Sequence, residues 1–380
     1  MEIMSWIANN IPMFLLVLTV LVFVHELGHY LVARWAGVKV EAFSIGFGPE
    51  LFGWNDRHGT RWRISALPLG GYVKMYGDAD PAGATQTEAV AANALTPEQR
   101  AVSFHHKSVG RRAAIVAAGP AANFLFAIVV LTGLYALVGQ PYTTPTVNTV
   151  RPGSAAEAAG LQPGDVVQAI DGTRIHRFEE MQRIISLRPG ERLTLSVERG
   201  GQTLNVPVTV GVDELTDRRG NVQRIGRLGV TSTQTAVLRH DPVTATWQAM
   251  RETWSVTVGT MVGLGQMIAG TRSTDEIGGV LRIADMSGQV SRDGAAQVVW
   301  FLALLSINLG LINLFPIPVL DGGHLMFYAA EAIRGKPLGR RVQEWGAMAG
   351  LAAVLTLFVF ATWNDLVHLR VVAFFQSLIS

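Results

Sequence analysis

Val24-His25-Glu26-Leu27-Gly28-His29 is a metal-ligand pattern written at the end of what reads as a membrane span. Residues four apart on a helix share one face, so His25 and His29 can turn imidazole nitrogens toward one zinc ion, with Glu26 beside the position of a reacting water. The residues leading into it, Ile11 to Val24, are almost wholly apolar. A charged side chain at mid-bilayer costs about 2.5–3.5 kcal/mol, and such groups face a protein interior or a cavity. The stretch therefore predicts a sheltered hydrolytic metal site within a membrane domain.

Composition agrees. The 380 residues are 49% hydrophobic and only 16% charged, a balance that suits a membrane protein with a soluble portion. Net charge is +2, and the chain has neither a long Lys/Arg run nor a basic patch interleaved with aromatics, so nucleic-acid binding gains no support. Cysteine is absent, which removes disulfides and thiolate ligands and leaves His and carboxylates to hold any metal. Met1-Glu2-Ile3-Met4-Ser5-Trp6 lacks the basic start of a signal peptide, and the apolar run continues into the His/Glu motif, so this segment reads as a retained span.

Four stretches approach the roughly 20 apolar residues that a spanning helix needs: Trp6 to Ala33, Ala113 to Val138, Val298 to Leu320 and Trp345 to Trp363. Lys and Arg gather between the first two, from Arg34 to Arg112, and between the last two, from Arg334 to Arg341, which puts both loops in the cytoplasm. The N-terminus, the segment Gly139 to Ala296 and the C-terminus then face the other side. In this topology His25 to His29, Gly119 to Asn123 and Asp321 share one depth near the cytoplasmic face. The expected parts are residues 1–138, the first half of a membrane core; 139–215, an inserted domain; 216–296, an amphipathic helix and connecting segment; and 297–380, the rest of the core.

Residues 38 to 75 alternate around Gly46-Phe47-Gly48-Pro49 and a turn at Asn55-Asp56-Arg57-His58-Gly59, which predicts β-hairpins whose edge could hold an extended substrate. Asp78 to Arg100, without periodicity, reads as a linker. Thr144 to Val212 has short alternating strands around Gly160-Leu161-Gln162-Pro163-Gly164-Asp165 and Ile170-Asp171-Gly172, with a helix near Phe178 to Ser186. It resembles one PDZ domain, a module that binds peptides or chain ends by strand addition. Residues 243 to 268 place Trp247, Met250, Trp254, Val258, Met261 and Ile268 on one helical face, as in a helix lying on a membrane surface or packed on the inserted domain. Gly278 to Gly294 reads as a loop or short helix.

A catalytic zinc site commonly takes three protein ligands. The third is sought in Asn313-Leu314-Phe315-Pro316-Ile317-Pro318-Val319-Leu320-Asp321-Gly322-Gly323-His324, where two prolines interrupt a membrane helix and free backbone groups for a cavity. Asp321 is the first candidate and His324, one helical turn on, the second. His58, His105 and His106 lie in polar segments and read as surface histidines. A membrane scaffold with a structural His/Glu motif is the rival reading. A transporter is disfavoured by four spans without an internal repeat.

His25-Glu26-Leu27-Gly28-His29, Gly46-Phe47-Gly48-Pro49, Gly119-Pro120-Ala121-Ala122-Asn123, the PDZ segment, and Ser306-Ile307-Asn308-Leu309-Gly310 through Leu320-Asp321-Gly322-Gly323-His324 stand in the order found in one family. Over nearly its whole length the chain resembles the site-2 protease family of intramembrane zinc metalloproteases, in its bacterial regulator of sigma-E branch. Only about 100 residues separate the second span from the amphipathic segment, room for one PDZ domain where the enterobacterial pattern has two. The resemblance implies that His25, His29 and Asp321 ligate one Zn2+ ion, that Glu26 is the catalytic base, and that Asn313 and Pro316 position substrate. Asn123, Gly46 and Gly48 complete the expected substrate-contacting set. It implies, too, a bacterial inner-membrane location with a periplasmic PDZ domain. The implied substrates are single-span membrane proteins, such as an anti-sigma factor after a first cut or a remnant signal peptide. The expected fold is thus a polytopic α-helical membrane protein of four transmembrane helices, with membrane-associated β-hairpins and one inserted PDZ domain.

Overall fold

The His/Glu motif lies near the end of α1 (Glu2–Trp35), an apolar helix long enough to cross a membrane. The computed structural model describes residues 2–77, 95–216, 222–274 and 278–368, which divide into two compact units: Met1–Leu134 with Thr246–Ser380, and the inserted Tyr135–Ala245. After α1 come β1 (Val40–Asn55) and β2 (Arg61–Met75). Their turn falls at the expected Asn55 to Gly59, where the Asp56 carboxylate accepts the N–H groups of His58 (2.8 Å) and Thr60 (2.9 Å). One hairpin stands where several were expected, and it folds over itself. Residues 40–45 pair with both 71–75 and 61–64, and 50–55 pair with the same 61–65 stretch, so two strands make four segments side by side. The fold-over needs backbone in the left-handed region, supplied by Gly46 (φ 89°), Gly48 (φ 85°) and Gly70 (φ 139°).

An aromatic column holds this sheet to α1. Trp62 stacks between Phe43 (4.2 Å) and Trp54 (5.8 Å), and Tyr30 of α1 meets Phe43 and Trp62 edge-on. Full burial of Phe43 contributes about 1.5–3 kcal/mol. Tyr30 Oη and Trp62 Nε1 both donate to the Asp56 carboxylate. Burial opposes ionisation there, but these bonds and the backbone N–H of Thr60 outweigh it and hold Asp56 well below the usual carboxylate range. Leu51, Phe52 and Leu67 remain exposed on the outer surface. Most of the expected linker falls on residues 78–94, outside the described residues. Its end is not linker: α2 (Pro97–Val102) begins there, with a reciprocal Thr96–Gln99 cap. Then comes α3 (Val109–Leu137).

The inserted unit contains β3 (Gln140–Thr143), β4 (Thr149–Val150), α4 (Ala155–Ala158), β5 (Val166–Ile170), β6 (Thr173–Arg174) and α5 (Phe178–Ser186). There follow β7 (Arg192–Arg199), β8 (Gln202–Thr209), β9 (Gly211–Thr216), β10 (Val222–Arg227), β11 (Val230–Thr231) and β12 (Thr235–Leu238). A four-stranded sheet in the order β6-β5-β7-β8 packs against α5 through Ile170, Met181, Ile185 and Leu195. The unit runs on past residue 215, because β11 returns to pair with β4 and β12 with β3. The Gly-Leu-Gln-Pro-Gly-Asp turn is locked by Asp165, which is 1% exposed, accepts the Gln162 N–H and binds both Arg199 Nε and Nη2 at 2.7 Å. Asp171 (φ 47°) and Gly172 (φ 80°) make the tight β5–β6 turn.

Beyond it, α6 (Pro242–Ile268) presents the predicted stripe outward: Trp247, Trp254 and Ile268 are exposed, while Thr253 is buried. The segment read as loop or short helix is α7 (Val280–Arg292), which packs its small residues Ala284, Ser287 and Gly288 on α1. Next come α8 (Ala295–Asn313), α9 (Asp321–Arg334) and α10 (Arg340–His368). Helices α1, α3, α8 and α10 are long and apolar enough to span a membrane and coincide with the four expected stretches. The third ends at Asn313 instead of Leu320, because Pro316 and Pro318 lack an N–H and bias the preceding residues away from helix. Val319, a β-branched residue at φ 106°, carries strain just before α9 restarts at Asp321. Arg112 of α3 pairs with Glu331 of α9 at 2.6 Å and lies 4.9 Å over the Tyr328 ring, which fixes α9 against α3.

Candidate metal centre

Three side chains from two helices meet at one point. His25 and His29 of α1 bring their Nε2 atoms to 3.2 Å from each other, and Asp321 Oδ2, from the first residue of α9, lies 3.1 Å from the former and 3.5 Å from the latter. Four tetrahedral ligands held about 2.0–2.2 Å from a zinc ion stand roughly 3.3–3.6 Å apart, so this triangle has nearly the required size. The donor chemistry fits as well. His29 Nδ1–H donates to the Ile115 carbonyl at 2.9 Å, which leaves Nε2 with its lone pair. Among the described residues, buried Asp321 Oδ2 has no hydrogen-bond partner despite the two nearby nitrogens. Lone pairs crowded this way repel one another unless a cation sits among them. His25, His29 and Asp321 thus form a set that accepts zinc and leaves a fourth position for water or substrate.

The second candidate ligand, His324, is exposed and outside this set. Asp321 takes its place because Gly322 and Gly323 let the start of α9 press into the preceding loop: a Cβ on Gly323 would lie 2.5 Å from Pro318 Cα. Glu26 lies beside the triangle, with the Val73 backbone of β2 next to its carboxylate. Gly71, two residues earlier, has no side chain to strike Glu26 Cγ, which would be 3.3 Å from its Cβ. The fold-over of the hairpin therefore brings a strand segment directly against the expected base.

The remaining expected site residues are spread around this centre. Asn313 closes α8, its Nδ2 donating to the Leu309 carbonyl, and Pro316 is exposed in the segment between α8 and α9. Gly46 and Gly48 form the bend of β1, and a Cβ on Gly46 would be 3.1 Å from the Ser65 carbonyl oxygen. Asn123 is fully buried beside His25. His58 and His106 stand at the surface as expected; His105 is exposed too, its imidazole pushed below the usual range by local burial and by Arg112 and His106.

Sequence reasoning missed the supports. Ile115 acts through its main-chain oxygen, which no side-chain pattern reports. Gly28 and Gly119 are the contact of α1 with α3: a Cβ on Gly28 would meet Ala122 Cβ at 2.7 Å, and one on Gly119 would lie 2.9 Å from His25 Cε1. Two glycines at facing positions of apolar helices were the available signal for a close crossing.

Comparison with known proteins agrees with this geometry. The family model described as "Peptidase family M50" matches residues 13–357. A Rhizobium meliloti protein that carries the name of a zinc metalloprotease is 47% identical over 371 residues, covering 96% of this chain and 99% of the relative. A similarly named Agrobacterium fabrum protein is 45% identical, covering 95% and 97%. The metalloprotease MmpA of Caulobacter vibrioides is 37% identical, covering 96% and 97%. Among solved structures, the PDZ domain of an SdrC-like protein from Listeria monocytogenes aligns with 24% of this chain and 88% of its own at 21% identity and a TM-score of 0.19, a likeness too slight to argue from. Matched end to end by relatives of this kind and holding a His25-His29-Asp321 centre, the chain belongs to peptidase family M50, the site-2 protease family of zinc metalloproteases.

Proposed function

We propose that this protein cleaves transmembrane segments of single-span membrane proteins within the bacterial inner membrane, as a step of regulated intramembrane proteolysis. The observation that carries the reading is the placement of the metal ligands on α1, a helix apolar enough to span a bilayer, and on α9, which follows the broken end of another such helix. An enzyme for soluble peptides gains nothing from that setting. The basic loops on either side of the site support a depth near the cytoplasmic face, with the inserted PDZ unit in the periplasm.

Held by His25, His29 and Asp321, zinc supplies Lewis acidity, which polarises a scissile carbonyl and lowers the pKa of water from about 15.7 toward about 7. Glu26 takes the proton released as water adds to the peptide carbon and delivers it to the leaving nitrogen when the C–N bond breaks. A substrate helix must unwind before its carbonyls are accessible, and its freed groups need partners. The folded-over hairpin, bent at Gly46 and Gly48, offers a strand edge, and Asn313 and Pro316 stand at the break between α8 and α9. Exposed Leu51, Phe52 and Leu67 suit this sheet to lipid.

Substrates of this kind are anti-sigma factors already shortened by a first protease, and remnant signal peptides. In the PDZ unit the N–H groups of Arg151 and Asn148 take the carbonyls of Gly229 and Thr231, so β11 turns its other edge, at Val230, toward an incoming chain end. Co-expression of wild type or Glu26→Gln with a tagged library of single-span proteins tests the proposal. Tagged fragments that depend on wild-type Glu26 are expected from a subset of the library. A library in which no member is cut, or in which wild type and Glu26→Gln give the same fragments, overturns it.

A further inference from the structure

The motif Gly119-Pro120-Ala121-Ala122-Asn123 has no part in the chemistry above, although Asn123 is 0% exposed and touches a metal ligand. Its Nδ2 lies 3.2 Å from His25 Nδ1, while its Oδ1 is buried with no hydrogen-bond partner among the described residues. Amide oxygen and nitrogen are distinguished by their hydrogen-bond network rather than by shape. Because His25 offers Nε2 to the shared centre, a neutral ring carries its hydrogen on Nδ1, and that N–H needs an acceptor. An amide nitrogen cannot serve. Turning the Asn123 amide by half a turn puts Oδ1 against His25 Nδ1–H, and one rearrangement satisfies both the ring and the orphaned oxygen.

The placement repeats along α3. Ile115, Gly119 and Asn123 follow one another at intervals of four, on one helix face. The Ile115 carbonyl receives His29 Nδ1–H, Gly119 leaves room for both imidazoles, and Asn123 reaches His25. Asn123 is itself held, since Ser306 Oγ of α8 donates to its main-chain oxygen at 2.9 Å and a Cβ on Gly310 would come within 3.3 Å of its own Cβ. We infer that Asn123 is a positioning residue of the metal centre: its amide oxygen accepts from His25 Nδ1–H and fixes the tautomer and ring plane that present Nε2 to zinc. This rests on the zinc reading of the site and removes Asn123 from the substrate-contacting set.

The test is zinc affinity of the full-length, detergent-solubilised protein, measured by competition with a chromophoric chelator, for wild type, Asn123→Ala, Asn123→Leu and Asn123→Asp. Loss of such a partner typically costs about 10- to 100-fold in metal affinity. That loss is expected for Ala and for Leu, which fills the space without an acceptor. Asp, an acceptor of the same shape, is expected to bind zinc as tightly as wild type or tighter. Melting of the zinc-stripped proteins separates positioning from simple packing. The stripped Leu variant should melt near the stripped wild type, and a fall equal to that of its zinc-loaded form overturns the inference. So does an Asp variant as weak as Ala, or a Leu variant that binds as tightly as a zinc-binding wild type. A wild type that binds no zinc instead overturns the metal reading beneath it.

Discussion

Gly119→Ala should empty the metal centre while leaving the fold standing. A Cβ at this position would lie 2.6 Å from His29 Cε1 and 2.9 Å from His25 Cε1, whereas ordinary contact begins at 3.4 Å. His29 Nε2, the ligating atom, is nearer still, so one imidazole must retreat by more than about 0.8 Å and the other by about 0.5 Å, against a tolerance of roughly 0.2 Å in metal–ligand distances. Moving α3 away instead would open the close contact that Gly28 makes with Ala118 and Ala122 at the same crossing. Overpacking of this kind costs about 1–3 kcal/mol. If the strain falls on the ligands, zinc affinity drops roughly 5- to 150-fold, since each 1.4 kcal/mol is tenfold. Gly133→Ala on the same helix is the control, because nothing lies within 4 Å of its Cβ position. Metal analysis of the two purified variants after dialysis against a weak chelator should find zinc retained by Gly133→Ala and depleted in Gly119→Ala. Equal stoichiometric zinc in both, with equal affinity, refutes the packing argument.

Asp321→Ala should lower zinc occupancy by at least tenfold and His324→Ala should leave it unchanged; the reverse result in metal analysis would make His324 the third ligand. Asp165→Ala should destabilise the inserted unit by about 2 kcal/mol, the loss expected for hydrogen bonds to a charged group, read as a lowered urea midpoint. Burial disfavours the charged form of Asp165, but Arg199 and the Gln162 N–H prevail and lower its pKa. Its contribution is therefore present above the ordinary carboxylate range and lost as pH falls through the depressed value, so the wild-type advantage over the Ala variant should shrink in acid. Deleting Gln140 to Leu238 in favour of a flexible linker should change which substrates are cut without abolishing cleavage of a short single-span substrate, assayed in membranes. A folded, zinc-bound deletion that cuts nothing would put the inserted unit in the active assembly.

Much of this was legible in the sequence, where it was local. The four apolar helices show as composition, and the His25–His29 pair shows as spacing on one helix. Asp321 showed only as a candidate beside His324, because the choice depends on Gly322 and Gly323 letting α9 settle against the preceding loop. What escaped was set by partners distant in the chain. The hairpin reads as ordinary strands, and its fold-over depends on three glycines at positive φ that bring Gly71 to α1. The inserted unit runs past the expected residue 215 because β11 and β12, two and four residues long, pair with strands 80 to 98 residues earlier. Helix α7 showed no apolar stripe since the residues it buries are Ala284, Ser287 and Gly288. Asn123, a polar residue in an apolar helix, marked a function, but not which atom it serves.

If Glu26 and the metal cut peptide bonds inside the membrane, the cut itself lies within the apolar span of the substrate. Purified wild type and Glu26→Gln, both checked for zinc, are reconstituted into lipid vesicles with a tagged single-span substrate, and the product ends are read by mass spectrometry. Ends within the apolar span are expected for wild type, and intact substrate for a Glu26→Gln variant that still holds zinc. Ends lying only outside the span, or cleavage by Glu26→Gln at the wild-type rate, would contradict this expectation.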